Sequence, residues 1–129
     1  MLFLDMIAPI LSPSLFLFTS FMILCVVLEA FVIQKILKRR SKTAFFHSFI
    51  ANLVTTIIGF WYIDFMTTSY HRDAYIPLFL SGFSLSIAIE MGVLKLLNKE
   101  KQMVDLGKTA LFMNIVSYLL LILIFVLFQ

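Results

Sequence analysis

From Leu28 to Phe60 the chain reads LEAFVIQKILKRRSKTAFFHSFIANLVTTIIGF, an apolar arm, a cluster of cations and a second apolar arm. Neither arm alternates every second residue, as a half-buried strand would. Neither carries a polar stripe every 3.6 residues, as a helix on a soluble core would. Helices that are apolar nearly all round are what membrane spans look like. The stretch therefore reads as a helical hairpin that crosses a membrane twice, with Lys35, Lys38, Arg39, Arg40 and Lys42 at its bend.

Working outward, the same pattern repeats. The full chain of 129 residues is 62% hydrophobic and 13% charged, against about 45–50% and about 25% in soluble domains. About 20 apolar residues are needed to cross roughly 30 Å of hydrocarbon, and four runs meet that length. Their limits predict helices over residues 13–37, 43–65, 76–97 and 109–128, with Pro13 and Pro77 close to two of the starts, where a missing N–H costs nothing. The expected fold is all-α: an integral-membrane four-helix bundle built from two helical hairpins and forming a single domain over residues 1–129. Four crossings leave no room for a separate catalytic or nucleic-acid-binding domain.

Charge sets the orientation. Of the ten Lys and Arg residues, nine lie in or beside the loops at residues 38–42 and 98–108, and only Arg72 lies between the second and third runs. The positive-inside rule then predicts cytoplasmic basic loops, with both termini and the Asp64-to-Asp73 turn outside, in the inner (plasma) membrane. The amino-terminal segment carries Asp5 and no cation, the wrong charge for the start of a cleaved signal, so the first helix is expected to remain as an anchor. Trp61, Tyr62, Tyr70 and Tyr75 gather around the outer turn and read as headgroup-level anchors. The basic loops would attract anionic lipid, although specific lipid binding does not follow from charge alone. A net charge of +3 does not imply nucleic acid, because the aromatics lie in the apolar runs and not among the cations.

Inside the runs, polar residues recur. Glu29-Ala-Phe-Val32 is echoed by Glu90-Met-Gly-Val93, and Asn52-Leu-Val-Thr55 by Asn114-Ile-Val-Ser117. A rival alignment, Lys42-Thr-Ala-Phe-Phe46 against Lys108-Thr-Ala-Leu-Phe112, requires a different offset. If the first alignment is the true one, the two hairpins are parallel repeats about an axis along the membrane normal. The midpoint of Glu29 and Asn52 falls in the first bend, and that of Glu90 and Asn114 in the second, so each pair should meet at one depth. An Asn amide can donate to a carboxyl that would otherwise be stranded in hydrocarbon, which predicts two Glu–Asn clasps. Cys25 lies one turn before Glu29, and Gly82 and Ser86 precede Glu90 at four-residue intervals. Thr55, Thr56 and Gly59 follow Asn52, and Ser117 follows Asn114. These spacings predict stripes where backbones approach closely and hydroxyls bond across.

Two roles fit the clasps. As structural glue they would decide which helices pair. As a functional site, Glu29 and Glu90 would carry a proton or hold a cationic substrate, since intramembrane carboxyls often mark transport paths. Other chemistry is missing from the sequence. There is no Gly-rich phosphate loop, paired-His helix motif or serine elbow, so neither an enzyme nor a cofactor site is expected. Asp64, His71 and Asp73 lack a metal-binding spacing and read as a solvated turn. His47, among Phe45, Phe46 and Phe49, reads as interfacial packing. Cys25, the single cysteine, can form no internal disulfide.

The segment quoted above also resembles small multi-spanning proteins of the cyanobacterial filament-integrity type. In those, a Glu-Ala element, a basic loop and an Asn followed by Ser or Thr and Gly occur in similar order, as Glu29, Asn52 and Gly59 do here. The resemblance covers about a quarter of the chain, and the polar carboxyl-terminal extension of that type is missing here. It implies a non-enzymatic subunit of an envelope or cell–cell junction complex, with membrane lipid and other membrane proteins, in a homo- or hetero-oligomer, as partners. A small transporter or channel subunit and a bacteriocin immunity protein are the alternatives.

Overall fold

The structure is a computed structural model that describes the backbone of residues 2–69 and 75–127, and most side chains from residue 17 onward. The described residues form four helices: α1 (Leu2–Leu37), α2 (Ser41–Ser69), α3 (Tyr75–Leu97) and α4 (Met103–Leu127). Within them, Leu17–Leu37, Ser41–Met66, Phe79–Leu97 and Met103–Ile124 are each long and apolar enough to cross a membrane. Helix is the state expected of such sequences, because hydrocarbon provides no partner for a backbone N–H or C=O. Each helix packs against its chain neighbour and α1 also packs against α4, while among the described residues the backbones of the diagonal pairs α1/α3 and α2/α4 stay apart. The helices thus stand in a ring at the four corners of an all-α bundle.

The interior mixes aliphatic side chains such as Ile33, Leu37, Leu94, Leu106 and Met113 with a set of polar ones. On α1 the buried stripe runs Val26, Glu29, Ala30, Ile33, Leu37; on α2 it runs Ala44, Ser48, Ala51; on α3, Ser86, Glu90, Leu94; on α4, Leu106, Ala110, Met113, Asn114. These spacings of three and four residues follow one helix face. Many large apolar side chains point the other way, Phe31, Phe46, Phe60 and Leu119 among them. Lipid tails are as apolar as leucine, so burying leucine gains little and the polar side chains that need partners decide which face turns inward. The tight core sits toward the basic loops. Beyond Asn52 on α2 and Asn114 on α4, no described side chain is fully buried.

Helix limits differ from the sequence reading in three places. α1 begins at Leu2 and not near residue 13, so that Pro9 and Pro13 lie within it. Proline prefers a first turn without requiring one, and residues 2–8 are mostly good helix formers. α2 extends from Ser41 to Ser69, past both of its expected ends. α4 begins at Met103 rather than at residue 109, its ladder opening with the Leu106 amide donating to the Gln102 carbonyl at 3.2 Å. Hydropathy marks where lipid begins, whereas the hydrogen-bond ladder can start earlier, helped here by Asp105 in the first turn opposite the helix dipole. The first bend is consequently only Lys38 to Arg40. Lys38 closes α1 with φ of 52°, a left-handed conformation that glycine takes without cost and lysine does not.

Candidate functional site

Glu29 on α1 and Glu90 on α3 face the bundle axis from opposite corners, both almost wholly buried. The Asn52 amide on α2 donates to Glu29 Oε2. The Asn114 amide on α4 donates to Glu90 Oε2 at 2.7 Å. Both amides also donate to carbonyls one turn back on their own helices, Ser48 at 3.0 Å and Ala110 at 2.9 Å. That second bond holds each amide in a single orientation, with its N–H groups toward the carboxyl.

α4 serves both carboxyls, Glu90 through Asn114 and Glu29 through Ser117. Ser117 Oγ on α4 donates to Glu29 Oε1 on α1, a bond that crosses between hairpins. Ser48 Oγ, one turn before Asn52, lies 2.9 Å from the Val26 carbonyl oxygen and 3.3 Å from Glu29 Oε2. Ser86 Oγ reaches Glu90 Oε1 at 3.4 Å. All four carboxyl oxygens therefore accept from a protein donor, and the two pairs form one cluster at the core. Of its members, Ser48 escaped the sequence reading. Its signal was present, since a serine four residues before Asn52 shares that face.

Other expected members take different places. Thr55 Oγ1 is buried with no hydrogen-bond partner among the described residues, so it does not bond across a helix boundary. Thr56 Oγ1 faces Met22 Sδ at 4.0 Å. Gly59 marks no close approach: nothing lies within 4 Å of where its Cβ would stand. At Gly82 a Cβ would meet the Tyr118 hydroxyl at 3.8 Å, an ordinary contact with a side chain and not with a backbone. The stripe of small residues thus makes room for hydroxyls and amides rather than for touching backbones. Cys25 is buried beside Ser117.

A second polar network closes the basic end, where none was expected. Asn98, just past α3, is fully buried. Its Oδ1 accepts from Arg39 Nε at 2.8 Å, and its amide lies 2.9 Å from the Leu94 carbonyl oxygen and 3.2 Å from His47 Nδ1. Arg39 also forms an ion pair with Glu100. Together these contacts tie the first bend, α2 and the second bend. His47 is therefore buried against Asn98, and of the three phenylalanines expected around it only Phe46 meets its ring, tilted at 6.3 Å between centroids. At 100° per residue it lies about 200° from both Phe45 and Phe49 on the helix, and those two are exposed. Asn98 was readable as the next step of the Glu90, Leu94 series at four-residue spacing.

At the opposite end Trp61 is exposed, whereas the Tyr62 hydroxyl lies 2.5 Å from Ser81 Oγ and so links α2 to α3. Tyr118 stacks edge-on between Phe79 and Phe83, at 5.0 and 4.9 Å. The expectations for Tyr70, His71, Arg72 and Asp73, and for the side chain of Tyr75, lie outside the described residues. Among those described, no group of three His, Cys, Asp or Glu side chains could hold a metal ion.

Fold and cluster together define an integral-membrane four-helix bundle organised around two buried carboxyls. No family model, no curated protein and no solved structure matches the chain.

Proposed function

We propose that the chain is a non-enzymatic, multi-pass subunit or scaffold of an envelope or cell–cell junction complex in the inner membrane, with its carboxyl cluster serving to hold the helices in register. The observation that carries this reading is that every oxygen of Glu29 and Glu90 accepts from a protein side chain, Glu29 from α2 and α4 and Glu90 from α4 and its own helix. A proton carrier or cation site needs a carboxyl that its cargo can reach, whereas both of these are almost wholly buried among their donors. Asn52 and Asn114 are in turn held by a second bond to a carbonyl of their own helix, an arrangement that suits a fixed contact between helices better than one that opens for a cargo. The resemblance of residues 28–60 to the filament-integrity type supports the same role. In this proposal the two hairpins are parallel repeats, with both basic bends in the cytoplasm and both termini outside.

Glu29→Gln and Glu90→Gln test the role. Isolation in mild detergent should yield a defined larger complex with the natural chain and less of it with the variants, while proton-coupled uptake stays unchanged. Uptake lost with assembly intact would establish transport instead. A lone monomer that protects cells from a membrane toxin on expression alone would establish immunity. The topology is tested separately in a Cys25→Ser background: Arg40→Cys and Glu100→Cys should label from one side of the membrane and Tyr70→Cys from the other.

A further inference from the structure

Between α1 and α2, on the face turned away from the other two helices, lies a groove of about 400 Å³. This is within the roughly 300–1,000 Å³ of small-molecule sites. Phe18, Met22 and Ile23 wall it on α1, and Phe45, Phe49 and Leu53 on α2. Three polar residues also line it, each already engaged: Asn52 donates to Glu29 and to the Ser48 carbonyl, Thr56 faces Met22 Sδ, and Thr19 has an interaction of its own. The lining thus offers an occupant apolar contact and no directed hydrogen bond.

We infer that this groove binds one acyl chain of an anionic phospholipid whose headgroup is held by Lys42. Three observations select that occupant. From Phe45 to Thr56 the groove follows α2 for about 16 Å at 1.5 Å per residue, close to one leaflet of a roughly 30 Å hydrocarbon core. Lys42 precedes Phe45 and Phe49 by three and seven residues, so one helix stripe carries a cation at the mouth and apolar walls behind it. Lys42 and the adjacent Arg40 are exposed, whereas Arg39 is occupied by Asn98 and Glu100. A phosphate at the basic end and a chain running from it into the groove match this layout. The inference depends on the bundle lying in lipid and is independent of its role in assembly.

The test is native mass spectrometry of the full chain released from bilayer discs of equal phosphatidylglycerol and phosphatidylcholine. One phosphatidylglycerol should be retained in preference to phosphatidylcholine. Lys42→Gln should reduce that retention about fivefold, the factor expected for one cation near the headgroups. Leu53→Trp, which fills the groove from a lipid-facing position, should abolish retention of either lipid. Lys108→Gln removes an equally exposed cation away from the groove and should leave retention unchanged. Equal retention of the two lipids would overturn the proposal. So would a Lys108→Gln loss matching that of Lys42→Gln, which would mean diffuse charge attraction. A Leu53→Trp variant that loses a dimer while keeping its lipid would make the occupant a second copy of the chain.

Discussion

Ser117→Ala removes a single oxygen, and its consequence can be worked from the cluster. Ser117 Oγ is the described donor to Glu29 Oε1, while Oε2 is shared by Asn52 and Ser48. Deleting it leaves one buried carboxyl oxygen without a donor. Hydrogen bonds between membrane helices average about 0.6 kcal/mol and reach about 1.7, and bonds to ionised groups in soluble proteins are worth about 1.5–3. The expected loss is about 1–2 kcal/mol, a five- to thirty-fold shift of the folding equilibrium. Reversible unfolding in mixed micelles titrated with a denaturing detergent would measure it. Two comparisons isolate the cause. Ser86→Ala removes a longer contact, 3.4 Å, within a single helix and should cost less than about 0.5 kcal/mol. In a Glu29→Ala background, Ser117→Ala should lose most of its effect, since coupled residues are non-additive. If Ser117→Ala costs the same with and without Glu29, the bond across hairpins contributes nothing and the cluster is not one unit.

Other perturbations should separate interior from lipid-facing positions. Asn98→Ala strips partners from Arg39 and His47 and should cost about 1–3 kcal/mol in the same assay, whereas Lys99→Ala, one exposed residue further on, should stay within about 0.5. Ile33→Ala opens a void at a fully buried site and should cost roughly 1–2 kcal/mol, less than the about 2–5 typical of soluble cores because lipid is no worse a solvent for isoleucine than the interior is. Phe60→Ala, at 63% exposure, should be nearly neutral by the same measurement. Gly59→Ala meets nothing within 4 Å and should stabilise α2 by up to about 1 kcal/mol. A loss there would reveal a close contact at that position. Lys38→Gly should also stabilise, by up to about 1 kcal/mol, through relief of the left-handed φ at the end of α1.

Some of this was readable from the chain alone. Long apolar runs have one stable backbone state in lipid, so the four helices follow from composition and length. The meeting of Glu29 with Asn52 and of Glu90 with Asn114 follows from the position of each bend, because antiparallel arms sharing a turn bring equidistant residues to one depth. Helix ends were less legible, since hydropathy reports the solvent around a helix and not the start of its ladder. Gly59 and Thr55 misled for a related reason: small or hydroxylated residues on a stripe permit a contact without creating one.

Only the tertiary structure decided how the hairpins stand against each other. Placing α1 beside α4 lets Ser117 reach Glu29, turning two separate pairs into one cluster. Placing α2 beside α3 likewise brings Asn98 to His47 and Arg39, far from both in sequence. Where hydrocarbon surrounds the chain, hydrophobicity cannot choose between the faces of an all-apolar helix. That choice falls to a few polar atoms, and which of them meet depends on the packing of distant segments, to which local pattern is blind.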